Sequence, residues 1–98
     1  MPKNTTVPCP VGEPTRLTDT AVTAARVIGS QGFDLCATLD TTPPASTDGS
    51  VMLLPWSILA ADLALGDLFP GVGSTVHLWA WPTESAVSET VDVSISHA

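Results

Sequence analysis

Period-two alternation, recurring in short runs separated by turn residues, restricts this 98-residue chain more than any other feature. Phe33, Leu35, Ala37 and Leu39 alternate with Asp34, Cys36, Thr38 and Asp40, and Val91, Val93 and Ile95 alternate with Asp92, Ser94 and Ser96. Successive side chains of a strand point to opposite faces, so both runs predict strands with one buried face. Residues 75–81 place Val76, Leu78 and Ala80 on one side and His77, Trp79 and Trp81 on the other, which predicts a strand covered on both faces. Residues 21–28 and 51–54 supply two more β-rich runs, the second stopped by Pro55. Gly29-Ser30-Gln31-Gly32 has the length and glycines of a hairpin connection, and residues 40–50 read as a long surface loop ending in the Asp48-Gly49 turn. Residues 57–69 fit either an amphipathic helix or a strand over 58–63 followed by a helical turn over 64–69. Gly66 inside the run and Pro70-Gly71 after it favour the second.

The first fifteen residues differ. Pro2, Pro8, Pro10 and Pro14 fix their own φ and push the preceding residue to extended conformations, so 1–15 reads as an extended arm beside a single β-domain over 16–98. There is no β-α-β alternation, hence no parallel sheet. The expected fold is all-β: a small antiparallel β-sandwich or partly closed barrel of about six to seven strands with one short helical turn.

Ten Asp plus Glu against three Lys plus Arg give a formal net charge of -7. Lys3, Arg16 and Arg26 cannot build the cationic surface that displaces counterions from phosphate, which argues against nucleic acid and against an anionic membrane surface. No run approaches the roughly 18 apolar residues of a membrane span. With 44% hydrophobic residues the chain has the composition of a folded domain rather than a disordered one. The start of the chain lacks the apolar run of a secretory signal, so the expectation is a protein that remains in the compartment where it is made.

Groups suited to chemistry are sparse. His77 and His97 are the candidate bases: His97 sits near the end of a strand, and His77 shares a face with two tryptophans, which reads as an imidazole packed beside aromatics. No Gly-x-Ser-x-Gly elbow, metal-ligand spacing or phosphate-binding glycine loop occurs, so neither a catalytic residue, a cofactor nor a metal is expected. Cys36 reads as a small buried hydrophobe and Cys9 as a free thiol in the arm, with a Cys9–Cys36 bridge as the alternative. Trp56, Trp79 and Trp81 have two readings: they fill the ends of a small core, or Trp56 or Trp81 stands in a protein–protein interface, where tryptophan is enriched.

The run Leu65-Gly66-Asp67-Leu68-Phe69-Pro70-Gly71-Val72-Gly73, with Leu78-Trp79-Ala80 and the final Val93-Ser94-Ile95-Ser96-His97-Ala98, resembles small virion proteins of tailed bacteriophages, of the type infecting alphaproteobacteria. Leu17-Thr18-Asp19-Thr20-Ala21-Val22-Thr23 and Thr42-Pro43-Pro44 fit the same pattern, so the resemblance spans about residues 16–98 and leaves out the arm. It implies a capsid decoration (cement) protein or a related β-structured virion component, without enzymatic activity. The expected partner is the major capsid protein. The expected site is the outer surface of the capsid, reached after synthesis in the host cytoplasm, with self-association as a trimer. Acidic residues on loops and outward strand positions (Asp34, Asp40, Asp48, Glu84, Glu89, Asp92) would form a solubility coat. Pro8, Cys9, Pro10, Val11, Arg16, Trp56 and Trp81 are the candidate partner-binding residues, the first four as part of a strap across neighbouring subunits. A tail or head-fibre component, a carbohydrate-binding β-sandwich and, more remotely, a minimal hydrolase built on His77 are the alternatives.

Overall fold

A computed structural model of the chain describes residues 3–82 and 89–98. Within them, eight strands form two antiparallel four-stranded sheets. In chain order they are β1 (Lys3–Pro10), β2 (Thr15–Arg16), β3 (Arg26–Gly29), β4 (Phe33–Thr38), β5 (Val51–Leu53), β6 (Ile58–Leu59), the short helix α1 (Leu65–Leu68), β7 (His77–Trp81) and β8 (Thr90–His97). One sheet has the order β1-β8-β3-β6 and the other β2-β7-β4-β5; they face each other as a sandwich and do not close into a barrel. Glu84 of the expected acidic coat lies outside the described residues.

The alternation that predicted β8 also fixes its packing. Val91, Val93 and Ile95 are fully buried, while Asp92 is exposed. They meet Phe33, Leu35, Leu78 and Ala80 from the facing sheet, with Cys9, Val27 and Leu59 completing the first layer. Leu17, Val22, Leu65 and Phe69, from outside the strands, belong to the same core. Burying one such aliphatic or aromatic side chain contributes about 1.5–3 kcal/mol, so the paired faces rather than the short strands hold the fold together.

Three expectations are corrected. The proline-rich segment is not a free arm: residues 3–10 pair along their whole length with β8, from Lys3 opposite His97 to Pro10 opposite Thr90. Prolines survive in this strand because it is an edge. The Val11 N–H donates to Glu89 O, so odd-numbered N–H groups face β8 and Pro8 and Pro10 lie where an N–H would point outward and remain unpaired. Second, residues 29–32 do not close a hairpin, because β3 and β4 belong to different sheets. Gly29 is needed there for close approach: a Cβ on it would lie 2.5 Å from the Phe33 ring, which packs over that backbone. Third, the strand expected over 58–63 stops at Leu59. It pairs with β3 only at Val27 and Ile28, and a turn follows in which Leu63 N–H donates to Ala60 O. The helical turn and the Asp48-Gly49 turn occur as expected, the latter with Gly49 at φ 77°.

Candidate docking surface

The candidate residues separate: Pro8, Cys9, Pro10, Val11 and Arg16 lie on one flank of the sandwich, Trp56 on the other, and Trp81 on the outer face of the β2-β7-β4-β5 sheet. On the first flank the sheets end in β1 and β2. Pro8 and Pro10 are exposed, Val11 is half-buried, Arg16 is exposed, and Cys9 is fully buried in the core. The chain crosses from one sheet to the other here through Gly12, whose N–H donates to Pro82 O at 2.6 Å. β2 is continued by Leu17, whose N–H donates to Leu78 O, and by buried Thr18, whose hydroxyl accepts from the Leu78 N–H at 3.1 Å. Lys3 is committed to the same flank: its ammonium donates to Leu17 O at 2.9 Å and lies 3.4 Å from the Asp19 carboxylate. Arg26 donates to Ser94 Oγ on β8. The structure thus uses two of the three basic side chains to tie strands together.

Cys9 and Cys36 are both free and buried, and they lie on different layers. Cys9 belongs to the inter-sheet core. Cys36 sits on the opposite face of β4 from the core residues Phe33 and Leu35, beside Trp79, so a bridge between the two would have to pass through a sheet. Burial pushes each thiol up to about 11, with a hydrogen bond involving Thr15 working against this at Cys9 and the Asp34 charge adding to it at Cys36. Both stay protonated and unreactive near neutral pH. The expectation of Cys9 as a free thiol in a flexible arm is therefore corrected to a core thiol.

The outer face of the β2-β7-β4-β5 sheet carries the other tryptophans. Trp79 is buried and its indole N–H donates to Thr38 Oγ1 at 2.8 Å; the Thr38 hydroxyl donates in turn to Asp40 O. Strand β4 ends there, and Leu39, expected on the buried face, is exposed. His77 is buried on the same face, opposite Thr38, with Nδ1 unpartnered. Trp81 is half-buried and heads a cross-strand row running through Asp34 to Met52. A hollow of about 310 Å³ lies elsewhere, between residues 21–24, Ala61, His97 and Ala98. Apart from Thr23 and His97 its lining side chains are alkyl, backbone groups supply further polar surface, and His97 contacts Ala98 O through Nδ1 while its Nε2 is buried without a partner. Among the described residues no group of three His, Cys, Asp or Glu could hold a metal ion.

On the second flank the sheets end in β5 and β6, joined by Leu54-Pro55-Trp56-Ser57. Met52, Leu54, Trp56 and Ile58 are each 63–68% exposed, a run of four large apolar side chains at alternate positions. Val51, Leu53 and Leu59, on the other phase, are buried or half-buried. The turn is closed by Ser57 N–H donating to Leu54 O at 3.0 Å, with Pro55 at its second position and Trp56 at its third with φ 61°. That is the pattern of a type II turn, which ordinarily places Gly or Asn where Trp56 stands. The Trp56 N–H donates to Gly29 O at 2.9 Å, pinning the turn to the β3–β4 connection. The register sends Met52 out from the β2-β7-β4-β5 sheet beside Asp34 and Ile58 out from the other sheet beside Ile28, with Trp56 on the turn between them; sequence alternation past Pro55 singles out Trp56 alone. Compared with known proteins, the chain matches no family model, no curated protein and no solved structure.

Proposed function

We propose that the protein is a non-enzymatic structural component of a tailed-phage virion, a decoration protein that binds the outer surface of the major capsid shell and stabilises it. The observation that carries this reading is the exposure of Met52, Leu54, Trp56 and Ile58, four large apolar side chains at alternate positions along the β5–β6 edge of the sandwich. Large exposed apolar side chains gathered on one flank mark contact with another macromolecule. The resemblance of residues 16–98 to small phage virion proteins supplies the setting. A net charge of -7 supports it further, since self-repulsion keeps copies soluble before docking and discourages contact with packaged DNA. Copies grouped as a trimer about a local symmetry axis of the shell would multiply a modest single contact by avidity.

The test is sedimentation of the purified full chain with assembled shells of the encoding phage, followed by counting copies per particle. Saturation at a number matching a symmetry-related set of shell positions is the expected result. A few copies per virion would move the protein to the tail or a fibre, and absence from virions would end the virion reading. Exposed Trp56 also gives the carbohydrate-binding alternative a concrete probe: saturable quenching of its fluorescence by glycans, with no shell binding, would favour that alternative.

A further inference from the structure

We infer that the hollow between residues 21–24, Ala61 and the end of β8 is a binding site for a small uncharged polyol of the size and chemistry of a monosaccharide. The inference goes beyond the assembly reading and rests on no part of it.

The way the strands part builds the hollow. β3 pairs with β8 only as far as Arg26 opposite Ser96, and with β6 only at Val27 and Ile28. Ahead of β3 the chain is held by other elements: Val22 exchanges two backbone hydrogen bonds with Val76, and Thr23 O accepts from the Leu65 N–H. These bonds keep residues 21–24 from continuing the ladder alongside His97 and Ala98, so the gap belongs to the fold. At about 310 Å³ it stands at the lower end of ligand pockets, which run from roughly 300 to 1,000 Å³.

The walls define the occupant. No Asp, Glu, Lys or Arg lines the hollow, so an ion would lose hydration there without gaining a partner, and the ligand is uncharged. The side chains of Ala21, Val22, Ala24 and Ala61 are small and alkyl, which leaves room for a compact ring and gives its C–H faces apolar contact. Between them stand polar groups: exposed Thr23 brings a hydroxyl, and the backbone groups of Ala24 and Ala61 make no hydrogen bond among the described residues.

His97 sets the sharpest requirement. It is only 8% exposed, and its Nε2 is buried without a partner. Nδ1 lies 3.0 Å from Ala98 O, and a carbonyl oxygen only accepts, so the proton of the neutral ring is on Nδ1 and Nε2 keeps a lone pair. A buried acceptor without a donor weakens the fold, and a hydroxyl entering the hollow supplies the donor it lacks. A pure hydrocarbon would leave this nitrogen and the amide groups unpaired. A polyol carries several hydroxyls that each donate and accept, so one molecule serves His97, Thr23 and the backbone while its C–H faces meet the methyl groups.

The experiment titrates the ¹⁵N-labelled full chain with D-glucose, D-galactose and D-mannose, following the amide signals and the His97 imidazole nitrogens by NMR, in the wild type and in Ala61→Phe. Ala61 is exposed in a turn, so Phe there fills the hollow from its rim, and circular dichroism and urea unfolding are expected to show an intact fold. At least one sugar should give saturable shifts confined to residues 21–24, 61, 97 and 98, with Nε2 moving more than Nδ1 and a dissociation constant on the order of 1 mM. Ala61→Phe should weaken that binding at least about tenfold. Trp56 fluorescence should stay unchanged, which separates this site from a tryptophan platform. No saturable shift with any of the three sugars, shifts centred elsewhere, glucuronate binding more tightly than glucose, or binding unaffected by Ala61→Phe would overturn the inference.

Discussion

The two flanks of the sandwich solve the same problem in opposite ways. Each ends two sheets and therefore exposes backbone groups that could pair with another chain. At the β1/β2 flank Pro8 and Pro10 remove outward donors, Lys3 bonds across to Leu17 and Asp19, and Cys9 and Leu17 reach the core. At the β5/β6 flank the edge strands are only three and two residues long, and the segment joining them turns large apolar side chains outward. Both devices discourage indiscriminate strand pairing, but only the second leaves a surface that water disfavours. The first flank is thus tied into the fold, while the second leaves exposed the surface on which the proposed docking rests.

The largest test of that division is removal of residues 3–10. A free arm could be deleted without harm, whereas deletion of β1 strips the eight-residue partner from β8 and uncovers Val91, Val93 and Ile95. The expected outcome is a chain without cooperative urea unfolding; a two-state transition near the intact midpoint would contradict the assignment of this flank to folding. Point substitutions give a graded version. Leu17→Ala, at a fully buried site, should cost about 2–5 kcal/mol. Leu54→Ala, at a side chain 63% exposed, should change stability by less than about 0.5 kcal/mol. Equal effects in denaturant titrations would erase the distinction.

Alkaline pH provides a non-mutational probe of the folding flank. The Cys9 thiol, fully buried, is pushed up to about 11 from an ordinary value of 9.0. The unfolded chain therefore loses its proton first as pH rises. The stabilising contribution is fully present below pH 9, declines from there, and is lost by about pH 11, a loss on the order of 2 kcal/mol. Cys36 shifts in the same direction and steepens the decline. The gap in urea midpoint between the wild type and Cys9→Ala, set at pH 7 by the lost packing of the buried thiol, should stay constant up to pH 9 and narrow above it as the wild type alone loses this contribution.

How much of this was legible in the sequence depends on which force governed each segment. In β8, and in β7 with Val76 just before it, where Val76, Leu78 and Ala80 face the core, burial alone decides the structure, and alternation reports burial directly. The two-sheet architecture followed from those runs. β1 was hidden because proline content outweighed its weak alternation; what rescues it as a strand is the direction of its odd-numbered N–H groups, a property of pairing that no local pattern reveals. The Gly29–Gly32 connection misled for a similar reason, since glycine there serves contact with Phe33 rather than a tight hairpin turn. Trp56 was named for its residue type, but its significance comes from a backbone angle that the sequence implies only through Pro55 preceding it.

The edge itself can be probed by restoring what proline removes. Pro8→Val with Pro10→Val returns two outward N–H groups to β1 without touching its bonds to β8. Stability should move by less than about 1 kcal/mol, because better strand propensity is offset by a more flexible unfolded chain. Light scattering should register the larger consequence, concentration-dependent association through the newly complete edge. A doubly substituted chain that stays as dispersed as the wild type would mean that the prolines do not guard this flank.

The smallest expected change is also the most discriminating, because its sign separates the two roles. If Trp56 were a packing residue, replacing it would destabilise the fold in proportion to the apolar area lost. Its exposure leaves little area to lose, and its φ of 61° carries a penalty of roughly 1–2 kcal/mol for a residue with a bulky side chain. Trp56→Asn relieves part of that penalty while keeping the Ser57 to Leu54 and Trp56 to Gly29 backbone hydrogen bonds available. The urea midpoint should therefore rise, by the equivalent of about 0.5–1 kcal/mol, while the proposed shell binding should weaken. A side chain whose removal strengthens the isolated fold and weakens the assembly is kept for the assembly, whereas a fall in the midpoint would return Trp56 to the folding side of the molecule.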